Sequence, residues 1–228
     1  TYRLLIAPEL IGPVFWLDTP SVNSQSLSYT IMLKSVGNEA PLRLQESYGE
    51  QSQIDKAAHY VFRRRYETYE SGPFRTIYGN DETVFEAPGY EIPSISLTRF
   101  PFDEYHTDQD TPEKLSESSL SDVCDCVMDI IMTMEKNRLL EISQKGLICL
   151  SSYGLYLPAP APGIDKSEYT QDHKNWNLLM NNFSRDVNQK ASLLEIAIRY
   201  DVSLSDLYDY AGKWVDAGLA AWKRNLDP

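Results

Sequence analysis

A strand, a charged loop and a long helix in succession constrain this chain most tightly. Ile95 to Phe100 reads as a buried strand ending in a loop. Phe102-Asp103-Glu104-Tyr105-His106-Thr107-Asp108-Gln109-Asp110-Thr111-Pro112 follows and sets one histidine among carboxylates. Pro112 suits the first turn of a helix. From Thr111 to Leu140, Leu120, Val123, Val127, Ile130 or Ile131, and Met134 then recur at helical spacing. Such a succession belongs to an open α/β sheet, where ligands gather at the carboxyl ends of strands. Neutral imidazole suits zinc, and a nearby carboxylate can set its tautomer. On spacing alone, His106 fits a surface histidine in an acidic loop equally well.

The preceding segments repeat the alternation. Tyr2 to Ala7 is a short apolar run stopped by Pro8 and predicts a central strand. Gly12 and Pro13 open a short helix over Val14 to Leu17. Leu27 to Val36 predicts a strand, and Leu42 to Gln45 a further short one. Gln51 to Tyr69 carries Ile54, Ala57, Ala58, Val61 and Phe62 on one helical face. Arg63, Arg64 and Arg65 suit the carboxyl end of that helix, and His59 reads as structural. Phe74 to Tyr78 and Glu91 to Arg99 are strand candidates on either side of a Gly79 to Gly89 loop. Strands alternating with helices indicate an α/β fold, a layered sheet with helices on both faces.

After Glu141 the composition changes. Gly146 to Leu157 predicts a β-hairpin, and Pro158 to Gly163 a stiff proline-rich connector. Helical patterns over Asn175 to Phe183, Ser192 to Tyr200 and Ser205 to Ala217 follow, with Gly218 capping the last. Asp201-Val202-Ser203 separates the last two at helix-turn-helix spacing. The reading is an α/β domain over 1–145, a hairpin and connector over 146–172, and a winged-helix-like domain over 173–228.

Charge excludes some functions. The net charge of −12 opposes non-specific binding to nucleic acid or anionic membrane, because phosphate attraction dominates such affinity. The would-be recognition helix carries Asp206, Asp209 and Asp216 against Lys213, with no arginine to read guanine. No run approaches the roughly 18 apolar residues of a membrane span. Three cysteines make no disulfide framework, and Cys124 and Cys126 fall on different faces of one helix. Reduced thiols and the lack of a signal segment give a cytoplasmic expectation.

Four motifs carry a resemblance over nearly the whole chain: Ala7-Pro8-Glu9-Leu10-Ile11-Gly12, Gly79-Asn80-Asp81-Glu82, Glu104-Tyr105-His106-Thr107, and Leu194-Glu195-Ile196-Ala197. Tyr105-His106-Thr107 with Asp110-Thr111 resembles the Y-H-T-x-x-D-T element of the zinc aminopeptidase superfamily. The whole resembles an aminopeptidase-like family of poorly defined function with a C-terminal winged-helix module. The resemblance implies a zinc-exopeptidase-like fold, a cofactor of one or two zinc ions, and His106 as a metal ligand. Counted back from Gly12, Glu9 takes the position of the catalytic base, while Leu10 stands where a ligand glutamate would. Asp81 and Glu82 match an S-D-H element with glutamate in place of histidine, and Tyr105 and Asp110 join the candidate site. Relatives carry a region ahead of this sequence that supplies a histidine and a bridging aspartate without counterpart here.

Two functions follow as expectations. One is a zinc-dependent aminopeptidase-like hydrolase of a small peptide or amino-acyl amide, using metal-activated water and a glutamate base. The other is a catalytically weak or inactive relative acting as a binding or assembly module through its acidic C-terminal domain. Expected partners are the small substrate, with no nucleic acid and no membrane, and with homo-oligomer formation left open.

Overall fold

A computed structural model describes residues 1–156 and 171–223. The chain divides into two compact units, Thr1–Ile131 and Met132–Asp227. The Pro158 to Gly163 connector lies outside the described residues. Among the described residues no helix is long and apolar enough to cross a membrane.

The first unit is a mixed α/β structure. It contains α1 (Ile11–Leu17), β1 (Thr30–Lys34), β2 (Arg43–Gln45), α2 (Gln53–Arg65), β3 (Glu70–Gly72), α3 (Glu82–Phe85), β4 (Ser94–Thr98) and most of α4 (Glu117–Lys136). The sheet runs β1-β4-β2-β3. β1 and β4 are parallel, as are β2 and β3, while β2 and β4 are antiparallel. Every residue of β4 is buried, as its central place requires, whereas edge strand β1 is only half-buried. The parallel pairing of Lys34 with Thr98 sends the carboxyl ends of β1 and β4 to the same side. The segment after Lys34 and the Phe102–His106 loop after Thr98 therefore leave the sheet together.

Local chemistry explains the helices. Ser52 and Asp55 close a capping box at the start of α2, and Arg63, Arg64 and Arg65 fill its last turn, where cations suit the helix dipole. Ile54, Ala57, Ala58, Val61 and Phe62 are buried along one face. Pro112 starts a short 3-10 turn ahead of α4. Cys126 is buried in α4 and Cys124 exposed, the two faces that their spacing dictates.

Two strand expectations fail in this unit. Tyr2 to Ala7 forms no strand, and Leu4 and Ile6 are 86% and 87% exposed. An apolar run signals burial, but a strand exists only through a paired neighbour. Phe74 to Tyr78 is a turn rather than a strand. Arg75 is left-handed there (φ 59°), and the Ile77 and Tyr78 amides donate to Oε1 of Gln45 instead of a ladder. The strand of this region is β3, immediately before it.

The second unit holds α5 (Gln171–Asn188), α6 (Leu193–Tyr200), α7 (Leu204–Asp216) and an antiparallel pair, β5 (Leu139–Ile142) with β6 (Ala220–Lys223). Trp214, Phe183, Leu179, Leu193 and Leu194 are fully buried in it. Residues 146–156 carry a 3-10 turn, Leu150–Tyr153, in place of the expected hairpin. The strand lies earlier, overlapping the expected helix end at Leu140, because Leu139 to Ile142 finds its partner in distant Ala220 to Lys223. Gly218 sits just past α7 in the left-handed conformation (φ 70°) that favours glycine, as expected.

Candidate active site

Glu9 is placed by a strained turn. Ile11 N donates to Glu9 O (2.7 Å) and Gly12 N to Pro8 O (2.8 Å), while Leu10 takes a left-handed φ of 59°. A Cβ on Gly12 would lie 2.3 Å from Cβ of Ala7, so only glycine allows the chain to double back this closely. Asp81 holds the turn from outside: Leu10 N donates to its Oδ1 at 2.6 Å. Two motifs 71 residues apart thus meet through one backbone amide.

Glu82, the neighbour of Asp81, has a different task. It is fully buried, and its carboxylate accepts from Asn80 N (2.7 Å), Gln45 Nε2 (3.3 Å) and Ser96 Oγ (3.3 Å). These bonds tie the Gly79–Glu82 turn to β2 and β4 and satisfy a carboxylate that burial would otherwise penalise. A Cβ at Gly79 would meet the Arg75 guanidinium at 2.6 Å, which that exposed, flexible side chain can relieve by moving.

Lys34, at the carboxyl end of β1, links the carboxylate to the histidine loop. Its Nζ lies 2.7 Å from Glu9 Oε1 and 4.5 Å from the centre of the Tyr78 ring. The Tyr78 hydroxyl lies 2.5 Å from the Tyr105 hydroxyl, and the Tyr105 ring stacks on His106 with centroids 3.9 Å apart. Phe100 and Phe102 pack edge-on against Tyr105. Arg43 steadies the loop by donating to the Phe100 carbonyl (2.5 Å), and Lys114 by pairing with Glu104 (2.7 Å). His106 itself has φ 59°, so both candidate loops carry a non-glycine residue in a costly conformation. Such strain concentrates at functional sites.

The charges respond to one another. Burial pushes the Lys34 ammonium down, but its hydrogen bond to Glu9 and the neighbouring Tyr78 outweigh it and leave the group above its usual value. The hydrogen bond between the two hydroxyls raises the Tyr105 phenol.

The fold therefore links Glu9 to Tyr105 and His106 by way of Lys34 and Tyr78, ties Asp81 to the Glu9 turn through the Leu10 amide, and uses Glu82 as a buried brace. Asp110 is exposed, and its amide closes a turn on the Thr107 carbonyl (3.4 Å). Sequence reasoning missed Lys34, Tyr78 and Gln45. A lone lysine ending the apolar run Ile31-Met32-Leu33 was the available signal for the first. His59 bridges Glu46 and Tyr69, each at 2.9 Å, and is structural as expected.

A structural zinc takes four ligands and a catalytic one three. Among the described residues no three His, Cys, Asp or Glu side chains gather closely enough to hold a metal. Lys34 already faces Glu9, and a backbone amide already faces Asp81. By themselves these residues do not fit a zinc ion.

The fold is mixed α/β and similar to a peptidase-like one. A crystal structure titled a "putative peptidase" from Clostridium acetobutylicum superposes with a TM-score of 0.68 and 22% identity, over 95% of this chain and 47% of that one. Residues 1–137 match the family model described as "Domain of unknown function (DUF4910)", and the chain belongs to that family. A curated C. acetobutylicum protein, "Putative polysaccharide biosynthesis protein with aminopeptidase-like domain", is 29% identical over 159 residues, 68% of this chain and 36% of the relative. An aminopeptidase from Aneurinibacillus sp. strain AM-1 shares 22% identity over 54% of this chain and 29% of its own, at a TM-score of 0.46. The chain thus spans less than half the length of the relatives it matches.

Proposed function

We propose that this protein is an aminopeptidase-like hydrolase that acts on a small peptide or amino-acyl amide. The observation that carries the reading is the contact chain Glu9–Lys34–Tyr78–Tyr105–His106, which gathers separate motif loops beside the carboxyl ends of β1 and β4. The aminopeptidase-like description of the curated relative supports it.

In this reading Glu9 is the general base. Lys34 engages Oε1, and Oε2 accepts a proton from the attacking water. Of the bonded Tyr78 and Tyr105 hydroxyls, the one that accepts in their mutual hydrogen bond donates its own proton toward the oxygen on which negative charge develops. Zinc belongs to the proposal through the family resemblance, with His106 as the ligand this chain offers. The described residues do not by themselves complete a ligand set for that ion. The C-terminal unit, read as winged-helix-like, carries exposed Asp206, Asp209 and Asp216 on α7 and is proposed as an interaction module that binds no duplex DNA.

The test is release of chromophore or free amino acid from a panel of amino-acyl anilides and dipeptides by the protein and by Glu9→Gln. Turnover that falls about 10²- to 10⁴-fold in the variant, with folding intact, is the expected result. Turnover equal in both proteins refutes Glu9 as the base. No turnover on any member of the panel, with zinc supplied, refutes the hydrolase.

A further inference from the structure

The first unit carries a cleft that the hydrolytic chemistry does not use. It holds about 440 Å³, within the range of small-molecule sites, and opens between the α2–β3 segment, the end of β4 and α4. Tyr66 and Tyr69 line it, each packed on buried Phe62 with centroids 5.2 Å apart, so both rings are held in place. The charged groups along the cleft are already engaged. Arg99 is 7% exposed and donates to the carbonyls of Val36 (3.1 Å) and Ala40 (2.6 Å) and to Asp122 Oδ2 (2.8 Å). Asp122 also accepts from the Tyr66 hydroxyl (3.0 Å) and from Arg65 Nη2 (3.2 Å). Spare bonding capacity lies elsewhere. Exposed Thr68 offers a hydroxyl, the Tyr66 oxygen can still accept, and Glu70 gives Oε2 to Arg43 Nε (2.6 Å) while keeping Oε1 to spare among the described residues.

We propose that this cleft binds a neutral saccharide unit, with the two tyrosine rings as its apolar seat and Thr68, the Tyr66 oxygen and Glu70 as partners for its hydroxyls. Elimination leads there. An anion would meet the Glu70 carboxylate while the guanidinium of Arg99 is already committed to other acceptors. A cation would meet Arg99 while its counter-ion Asp122 is already filled by its own donors. A wholly apolar guest would strip water from Thr68 and Glu70 and replace none of it. A sugar ring has an apolar C–H face to lie on a tyrosine, and hydroxyls that both donate and accept along its rim. The proposal does not depend on the hydrolase reading and concerns none of the residues assigned to it.

Saturation-transfer NMR on the full chain tests this without reading turnover. The probes are two matched pairs, methyl β-glucoside against glucuronate and N-acetylglucosamine against glucosamine, each neutral ring set beside a charged one. At least one neutral ring is expected to take up saturation, most strongly at its C–H protons, and to bind several-fold more tightly than its charged partner. Glu70→Ala should weaken that binding about tenfold or more, the value of a hydrogen bond to a charged group. Thr68→Trp, at an exposed position on the cleft, should fill it and abolish binding with an unchanged melt. Should Thr68→Trp lower the melt, Glu70→Ala carries the test alone, since that side chain is 64% exposed. Absence of binding by both neutral rings overturns the proposal. So does a charged ring that binds as tightly as its neutral partner, or unchanged binding in Glu70→Ala or in folded Thr68→Trp.

Discussion

The two units place their polar bonds at different ranges. In the second unit they are largely local. Ser192 and Glu195 close a capping box, Ser203 caps α7 by accepting from Asp206 N, and Asp186 takes Arg199 and Tyr200 from the adjoining helix. In the first unit they span the chain, as in Leu10 to Asp81, Lys34 to Glu9, Arg43 to the Phe100 carbonyl and Tyr78 to Tyr105. Local bonds stabilise helices that would form over a wide range of neighbours. Long-range bonds between strained loops fix one arrangement of exposed groups, which is what a reactive site needs.

The largest expected effect lies in the locally built unit. Trp214 is 1% exposed and packs on Phe183 and Tyr210, so Trp214→Ala should cost about 3–5 kcal/mol in urea unfolding. A loss under about 1 kcal/mol would mean that this core collapses around the void and is not the close-packed region described.

Glu82→Leu comes next. Removing the carboxylate leaves the Asn80 amide and the Ser96 hydroxyl without their acceptor, at about 1–3 kcal/mol. Glu82→Gln should cost less, since its carbonyl can still accept. Equal loss in both would point to charge rather than hydrogen bonding and would break the assignment of Glu82 as a brace.

Much of this contrast was legible in the sequence and part was not. Capping residues, apolar stripes and Gly218 gave α2, α4, α6 and α7 because the physics of a helix is contained within a few residues. β4 and the exposed histidine loop after it were readable for the same reason. Tyr2 to Ala7, Phe74 to Tyr78 and the hairpin expected after Gly146 were misread because strand pairing depends on distant partners. Gln45 offers its side chain where a strand would have offered backbone, and no local pattern announces that. Lys34 and Tyr78 escaped notice because each acquires meaning only when β1 and β4 lie side by side.

Ser192→Ala sharpens the local half of the comparison. Loss of the capping bond to Glu195 N should destabilise by about 1 kcal/mol, seen as a lower unfolding midpoint at unchanged slope. No change would mean that α6 is held by packing alone.

The smallest effect concerns thiols. Burial pushes Cys126 up to about 11, whereas hydrogen bonds from Ser151 and Ser152 lower the exposed Cys149. A lowered value means more thiolate at neutral pH, so Cys149 should be alkylated ahead of Cys126, with peptide mapping as the readout. Equal labelling would contradict the burial assigned to α4.

The central claim is that the fold selects, from the carboxylates around the histidine loop, the one that Lys34 holds. Turnover of an amino-acyl anilide by Glu9→Gln and by Asp110→Asn, each checked for an unchanged melt, tests it directly. The account predicts a loss of about 10²- to 10⁴-fold for Glu9→Gln and a change within about twofold for exposed Asp110→Asn. A loss at Asp110 equal to that at Glu9, or full activity in Glu9→Gln, would contradict it.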